Sequence, residues 1–229
     1  MKSSLRSATS KNVEIFVYEP NRKIPERSET DRGGEVHACP SVDCGDDQAI
    51  LGFRYIECTY LGVQKLGWFL ERSIHLVGTN DPLKLQFQAD KYGPYSDRLR
   101  HLLDALDGTY LHCNKRLSDA GPTDTIWFDE DRCKYIDLYL QQEESTALRR
   151  VLDLTAKRID GFESPLGMEL LATVDWLIER EHKEPTVEDI RRGLCEWPAG
   201  QAAAERKLRL FDDRLIGLAL DQLAVEVLA

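Results

Sequence analysis

His37, Cys39 and Cys44 are of residue types that bind zinc, and Cys58 is the next cysteine or histidine along the chain. Zinc sites commonly pair their ligands in a tight Cys-x₂₋₄-Cys arrangement and repeat the pair at a distance. That spacing is absent here and Cys58 falls in a region that reads as helical, so no metal site is expected. Two acidic pairs, Asp129 with Asp131 and Glu143 with Glu144, have the chemistry for acid–base hydrolysis. No Gly-rich phosphate loop, nucleophile elbow or His-Glu-x-x-His helix accompanies them, so they read as solvated helix starts. His101, next to an apolar stripe, reads as a partly buried helix residue rather than a base. No catalytic residue, metal or cofactor is called for.

A denser feature lies between residues 160 and 189, where nine acidic residues, Glu169, Asp175, Glu179 and Glu181 among them, face only Arg180 and Lys183. Solvated helix faces and the preference for negative charge near helix N-termini explain part of this placement. The functional reading is an exposed acidic surface that competes for a basic groove.

The whole chain leans the same way. Its 229 residues carry a formal net charge of -10, with 31% charged and 42% hydrophobic residues. A protein that tracks phosphates needs a basic stripe, so direct nucleic-acid binding is not expected. An acidic surface suits a basic partner, such as a protein that itself holds DNA. No apolar run approaches the roughly 20 residues that span a bilayer, and the N-terminus lacks a signal-peptide core. A cytoplasmic protein with no membrane partner is expected, with its six cysteines reduced and mostly buried as small apolar residues.

The elements that must position these residues fall into three stretches. Residues 1–20 hold a polar segment that reads as the end of a helix, then a β-branched and aromatic strand from Val13 to Pro20 with no partner strand after it. Residues 21–46 have the charge, Gly and Pro content of a flexible linker. Residues 47–229 form the ordered domain, starting with a short helix from Gln48 to Tyr55.

Within that domain Thr59 caps a helix through Leu61, Val63, Leu66, Phe69 and Leu70, with Trp68 off its apolar face. Leu83, Leu85 and Phe87 alternate with polar residues as a half-buried strand does, and residues 91–95 form a turn. Ser96 caps a helix whose Leu99, Leu102, Leu103 and Leu106 make one stripe. Strands follow at 109–113 and 125–128, then two helices between 130 and 157 broken near Glu144 and Ser145. Further helices are expected at 165–180, after a Ser164-Pro165 start, at 187–195, after Thr186, and at 211–228. The fold class is mainly α with a small β component (α+β), containing a winged-helix-like helix-strand-helix-hairpin unit.

Two motifs then stand out. Val63-Gln64-Lys65-Leu66 with Trp68-Phe69-Leu70, Phe87, Lys91-Tyr92-Gly93-Pro94-Tyr95, Arg98-Leu99 and His101-Leu102-Leu103 form one. Gly161-Phe162-Glu163-Ser164-Pro165 with the run Gly167 to Val174 forms the other. Together, over roughly residues 50 to 228, they resemble the C-terminal toxin-binding region of DarG-type antitoxins. The Lys-Tyr-Gly-Pro core also resembles the broader SocA-like (Panacea) antitoxin domains.

The resemblance implies a binding module that neutralises a DarT-like DNA ADP-ribosyltransferase, with an acidic surface standing in for DNA. It implies that residues 1–20 are the end of a macro domain whose ADP-ribose-binding part lies outside this chain, and hence that the chain is not an enzyme by itself. The alternative is an accessory part of a macro-domain ADP-ribosyl glycohydrolase. The partner-binding residues expected on this reading are Lys65, Lys91, Tyr92, Tyr95, Arg98, Glu169, Asp175, Glu179 and Glu181.

Overall fold

The computed structural model describes residues 6–10, 13–17 and 58–224. The chain divides into two compact units, residues 1–46 and 47–229. In the first, β1 (Arg6–Ser10) pairs antiparallel with β2 (Val13–Val17), Ser10 opposite Val13 and Arg6 opposite Val17. The polar segment expected to end a helix is therefore a strand, and β2's partner precedes it. A ladder is built from backbone groups, so the polar side chains of Ser7, Thr9 and Ser10 do not forbid it. The linker at 21–46, the helix at 48–55 and His37, Cys39 and Cys44 lie outside the described residues.

The second unit is a mainly helical α+β domain. A two-residue strand β3 (Cys58–Thr59) leads directly into α1 (Tyr60–Val77), capped by Thr59 Oγ1, which accepts from Gly62 N at 3.1 Å. Cys58 is thus in a strand rather than a helix. A hairpin of β4 (Gln88–Asp90) and β5 (Gly93–Tyr95) follows, then α2 (Asp97–Leu106), β6 (Leu111–Cys113) and β7 (Thr125–Phe128). Strand β7 is central to an antiparallel sheet of order β3-β7-β6. The remaining helices are α3 (Glu130–Leu140), α4 (Thr146–Ile159), α5 (Pro165–Glu179), α6 (Val187–Cys195), α7 (Gln201–Leu210) and α8 (Asp213–Ala224).

Residues 83–87 depart from the expected strand. Leu85 is buried and Leu83 and Phe87 are half-buried, while Lys84 and Gln86 are exposed. Yet Lys84 and Gln86 both have left-handed backbone, φ 46° and 56°, incompatible with a β ladder. Asp81 Oδ1 accepts from Leu83 N and Lys84 N at 2.9 and 3.1 Å and sets this course. Alternating burial survives without strand pairing. The expected turn at 91–95 narrows to Lys91 and Tyr92, because Gly93, Pro94 and Tyr95 are themselves a strand.

Two apolar clusters share α1. Tyr60 packs with Leu85, Leu99, Leu103, Leu111, Leu117 and Ile126. One to three turns on, Trp68 and Phe69 join Leu171, Leu177, Ile190, Leu194, Phe211 and Ile216. Trp68, expected off the apolar face, is fully buried against Phe87 and Trp176 at ring separations of 5.5 and 5.2 Å. Helix α5 is buried without interruption from Met168 to Leu177, as a helix surrounded by others must be. Each such Leu contributes about 1.5–3 kcal/mol by leaving water. Among the described residues no helix is long and apolar enough to cross a membrane.

Candidate functional site

The two sequence motifs meet inside the protein. Lys65, on α1, is 1% exposed, and its Nζ donates to Pro94 O at 2.6 Å. Its neighbour Gln64 grips the end of the same hairpin twice: Ser96 N donates to Oε1 at 2.9 Å and Nε2 donates to Ser96 O at 3.2 Å. Ser96 also caps α2 by accepting from Leu99 N at 3.1 Å and donates its hydroxyl to Leu85 O. One side chain therefore joins helix, hairpin and loop.

Behind the hairpin stands an ion cluster. Glu169 of α5 is buried and accepts from Arg206 Nη2 at 3.0 Å and from Lys207 Nζ at 3.2 Å. Lys207 also donates to Thr173 Oγ1 at 3.3 Å and lies 4.7 Å from the Trp197 ring centre. Trp197 Nε1 in turn donates to Asp90 O at 3.0 Å. Burial and the facing Lys207 charge lower Lys65 to about 7, against the opposing pull of Glu169 and Asp90. Burial likewise lowers Lys207 to about 8. Gly93 sits in this cradle with φ 95°, and a Cβ there would come within 3.0 Å of Thr173 Oγ1. Only glycine takes that backbone next to that wall without strain.

Of the expected partner-binding residues, Lys65 and Glu169 thus serve the interior, and Tyr92 lies between Arg206 and Lys91, 4.7 and 5.0 Å from its ring centre. Tyr95 is half-buried. Lys91 and Arg98 are exposed, Arg98 Nη1 donating to Lys84 O at 2.8 Å.

The acidic surface at 160–189 is corrected in part. Asp175 is 3% exposed, accepting from Trp68 Nε1 at 2.8 Å and Arg72 Nε at 3.2 Å. Burial pushes its carboxyl above the ordinary range, while Arg72, Arg158 and the Trp68 indole pull it down. Glu179 pairs with the same Arg72, and Glu181 accepts from Trp176 Nε1 at 3.2 Å. Glu169 and Asp175 cannot meet a partner because helix packing has enclosed them. Their charge reads as acidic in the sequence because the compensating Arg72, Arg206 and Lys207 lie far away along the chain.

Other expectations shift similarly. His101 is exposed rather than partly buried, and Cys195 is exposed while Cys58, Cys113 and Cys133 are only half-buried. Asp129 caps α3, accepting from Asp131 N at 3.0 Å, and pairs with His112 Nε2 at 3.0 Å, so it is held below the ordinary carboxylate range by that histidine. Among the described residues no group of metal-binding side chains assembles.

Trp197, Arg206 and Lys207 were not singled out by the sequence, and Gln64 and Thr173 entered only as members of the two motifs. Helix α7, which carries Arg206 and Lys207, has a legible signal: three consecutive alanines, Ala202 to Ala204, in a run of strong helix formers. The expected helix at 211–228 instead begins at Asp213, with Asp212 Oδ1 accepting from Leu215 N at 2.8 Å.

A different surface is left open. Trp127 and Phe128 on β7, and Leu138 and Tyr139 on α3, are 36%, 40%, 61% and 55% exposed. Asp131 and Leu138 share the exposed side of α3 with Lys134, and Glu130, Glu143 and Glu144 are further exposed acids close by in the chain.

Proteins from Mycobacterium bovis and Mycobacterium tuberculosis named DNA ADP-ribosyl glycohydrolase are each 31% identical to this chain over 169 residues, 72% of the chain and 44% of the relative. A protein of the same name from Thermus aquaticus is 33% identical over 162 residues, 67% of the chain and 36% of the relative. The chain spans less than half the length of these relatives. No family model matches it. The expectation that the chain stands outside the enzymes is overturned by these relatives, whose shared name is that of a hydrolase. This chain is thus a relative of the proteins named DNA ADP-ribosyl glycohydrolase.

Proposed function

We propose that this chain serves a DNA ADP-ribosyl glycohydrolase by binding and neutralising a DarT-like DNA ADP-ribosyltransferase. The observation that carries this reading is the exposed surface of β7 and α3. Large apolar side chains left in water, with exposed acids at Glu130, Asp131, Glu143 and Glu144 near them in the chain, have the composition of a protein-binding patch rather than of an ordinary solvated face. Helix α3 has 11 residues and so extends about 16 Å, room for several contacts across a groove.

On this reading Trp127, Phe128 and Tyr139 anchor the partner, since buried aromatics dominate such interfaces. The exposed acids meet the basic groove in which the partner holds DNA, raising the encounter rate and blocking the groove. On this reading the acidic substitute for DNA lies within residues 127–144 rather than at Asp175 and Glu169, which are buried.

The test is co-expression of the full chain with a DarT-like toxin from the same locus, scored by growth and co-purification. Rescue and a complex are expected, and Trp127→Ala with Leu138→Asp should abolish both. The same preparation is assayed for release of ADP-ribose from modified DNA, the activity in the relatives' name. A chain that neither rescues nor co-purifies would sink the docking reading, and a hydrolysing one would assign rescue to catalysis.

A further inference from the structure

Asp129 forms the corner between β7 and α3, and its backbone and side chain are both engaged there. Its N–H donates to Tyr110 O at 2.9 Å, and its carbonyl oxygen accepts from Arg132 N at 3.0 Å. Oδ1 caps α3 by accepting from Asp131 N at 3.0 Å, and Oδ2 faces His112 Nε2 at 3.0 Å. An ionised carboxylate has no hydrogen to give, so Nε2 of the imidazole is the donor.

His112 belongs to β6 and stands directly opposite Trp127 in the β6–β7 register. Both side chains therefore leave the same face of the sheet. Their ring centres are 6.4 Å apart with planes at 33°, within the range of aromatic contact. One imidazole thus reaches both the exposed indole of β7 and the residue that begins α3.

Helix α3 needs such a brace. Of its 11 residues one, Leu140 in the last turn, is buried. That end is also tied down, by Ser145 Oγ donating to Tyr139 O at 2.7 Å and Arg149 Nη1 donating to Gln142 O at 3.1 Å. The opposite end is tied to the sheet through Asp129 and through Arg132, whose guanidinium lies 5.6 Å from the Tyr110 ring centre.

We propose that His112 is a positioning residue of the docking surface: bonded to Asp129 and set beside Trp127, it fixes the start of α3 against β7, so that both halves of that surface meet a partner already aligned. The inference rests on the reading of β7 and α3 as the surface that binds the toxin. Alignment before contact spares the complex the ordering of a helix end and an indole, which would otherwise weaken it.

The test compares variants of the full chain, free and with the DarT-like toxin from the same locus as probe. His112→Leu removes the donor, His112→Gln keeps an N–H donor, and Asp129→Ser keeps a capping oxygen for α3 but falls short of His112. In the free chain, hydrogen exchange at the α3 amides should be about tenfold faster in His112→Leu and Asp129→Ser, and near normal in His112→Gln. Toxin affinity, titrated by calorimetry, should fall about tenfold in the same two variants and recover in His112→Gln. Combining His112→Leu with Asp129→Ser should cost no more than either alone, as for two ends of one contact. Circular dichroism melts establish that each variant folds.

Trp127→Ala is the control for the surface itself. If it leaves toxin affinity intact, the docking reading fails and this proposal with it. If Trp127→Ala abolishes binding while His112→Leu and Asp129→Ser bind as the unaltered chain does, the surface docks without a brace and the proposal alone is overturned. Unchanged α3 exchange in both folded variants overturns it as well.

Discussion

Lys65 Nζ lies 2.6 Å from the carbonyl oxygen of Pro94, so the ammonium on α1 holds the backbone of the hairpin that carries the Tyr-Gly-Pro-Tyr run. The two halves of the motif are 29 residues apart along the chain and in contact in space. Charge-assisted bonds of this kind are stronger than neutral ones, and this one is shielded from water.

The carboxylate of Glu169 balances three cations, Arg206, Lys207 and, at longer range, Lys65. Glu169→Ala leaves buried positive charge without its counter-ion and should cost about 3–5 kcal/mol. The midpoint of urea unfolding checks this; a change below 1 kcal/mol, roughly the scale of a surface substitution, would show that water replaces the carboxylate.

Gly93→Ala should destabilise by about 1–3 kcal/mol, because a side chain is forced into left-handed backbone and toward Thr173. The double variant with Thr173→Ala separates the two causes. Recovery in that variant measures the steric part and the remainder the backbone part.

Stability should rise with pH between about 7 and 9. Folding lowers Lys65 from 10.5 to about 7 and Lys207 to about 8, so across this window the unfolded chain binds more protons than the folded one. Linkage then makes the unfolding free energy increase, by roughly 1 kcal/mol per pH unit for each fully deprotonated lysine. Above pH 9 the Cys58 thiol, raised to about 11 by burial, holds its proton longer in the folded state and opposes the gain. Chemical unfolding across this range, repeated for Lys65→Met, should show a shallower rise in the variant.

Charge reversal separates enclosed acids from surface ones. Asp175→Lys sets a buried ammonium against Arg72 and deprives the Trp68 indole of its acceptor, and should cost more than about 4 kcal/mol. Glu181→Lys, on an exposed residue, takes only one acceptor from the Trp176 indole and should cost no more than about 2 kcal/mol. Thermal melts of the two variants give the comparison directly.

Local signals in the sequence were sufficient for several elements. Thr59, Ser96, Ser164 and Thr186 each accept a hydrogen bond from the backbone N–H three residues on, and each helix starts where its cap stands. The leucine spacing of α2 and the break between α3 and α4 are equally local. Residues 83–87 mark the limit: alternation of Leu and polar residues reports which side chains are buried, and an alternating left-handed backbone satisfies it as well as a strand does.

By itself, then, the sequence determined the helix starts, the α+β class and the two motifs, because each depends on residues a turn or two apart. The fate of the charges was decided only by tertiary structure. Glu169 meets Arg206 and Lys207 across 37 and 38 residues, and Asp175 meets Trp68 and Arg72 across more than a hundred. A carboxylate's neighbours in the chain do not reveal whether it faces water or a cation, and the difference sets whether it can bind a partner at all. Packing placed these acids in the interior and left Trp127, Phe128, Leu138 and Tyr139 outside.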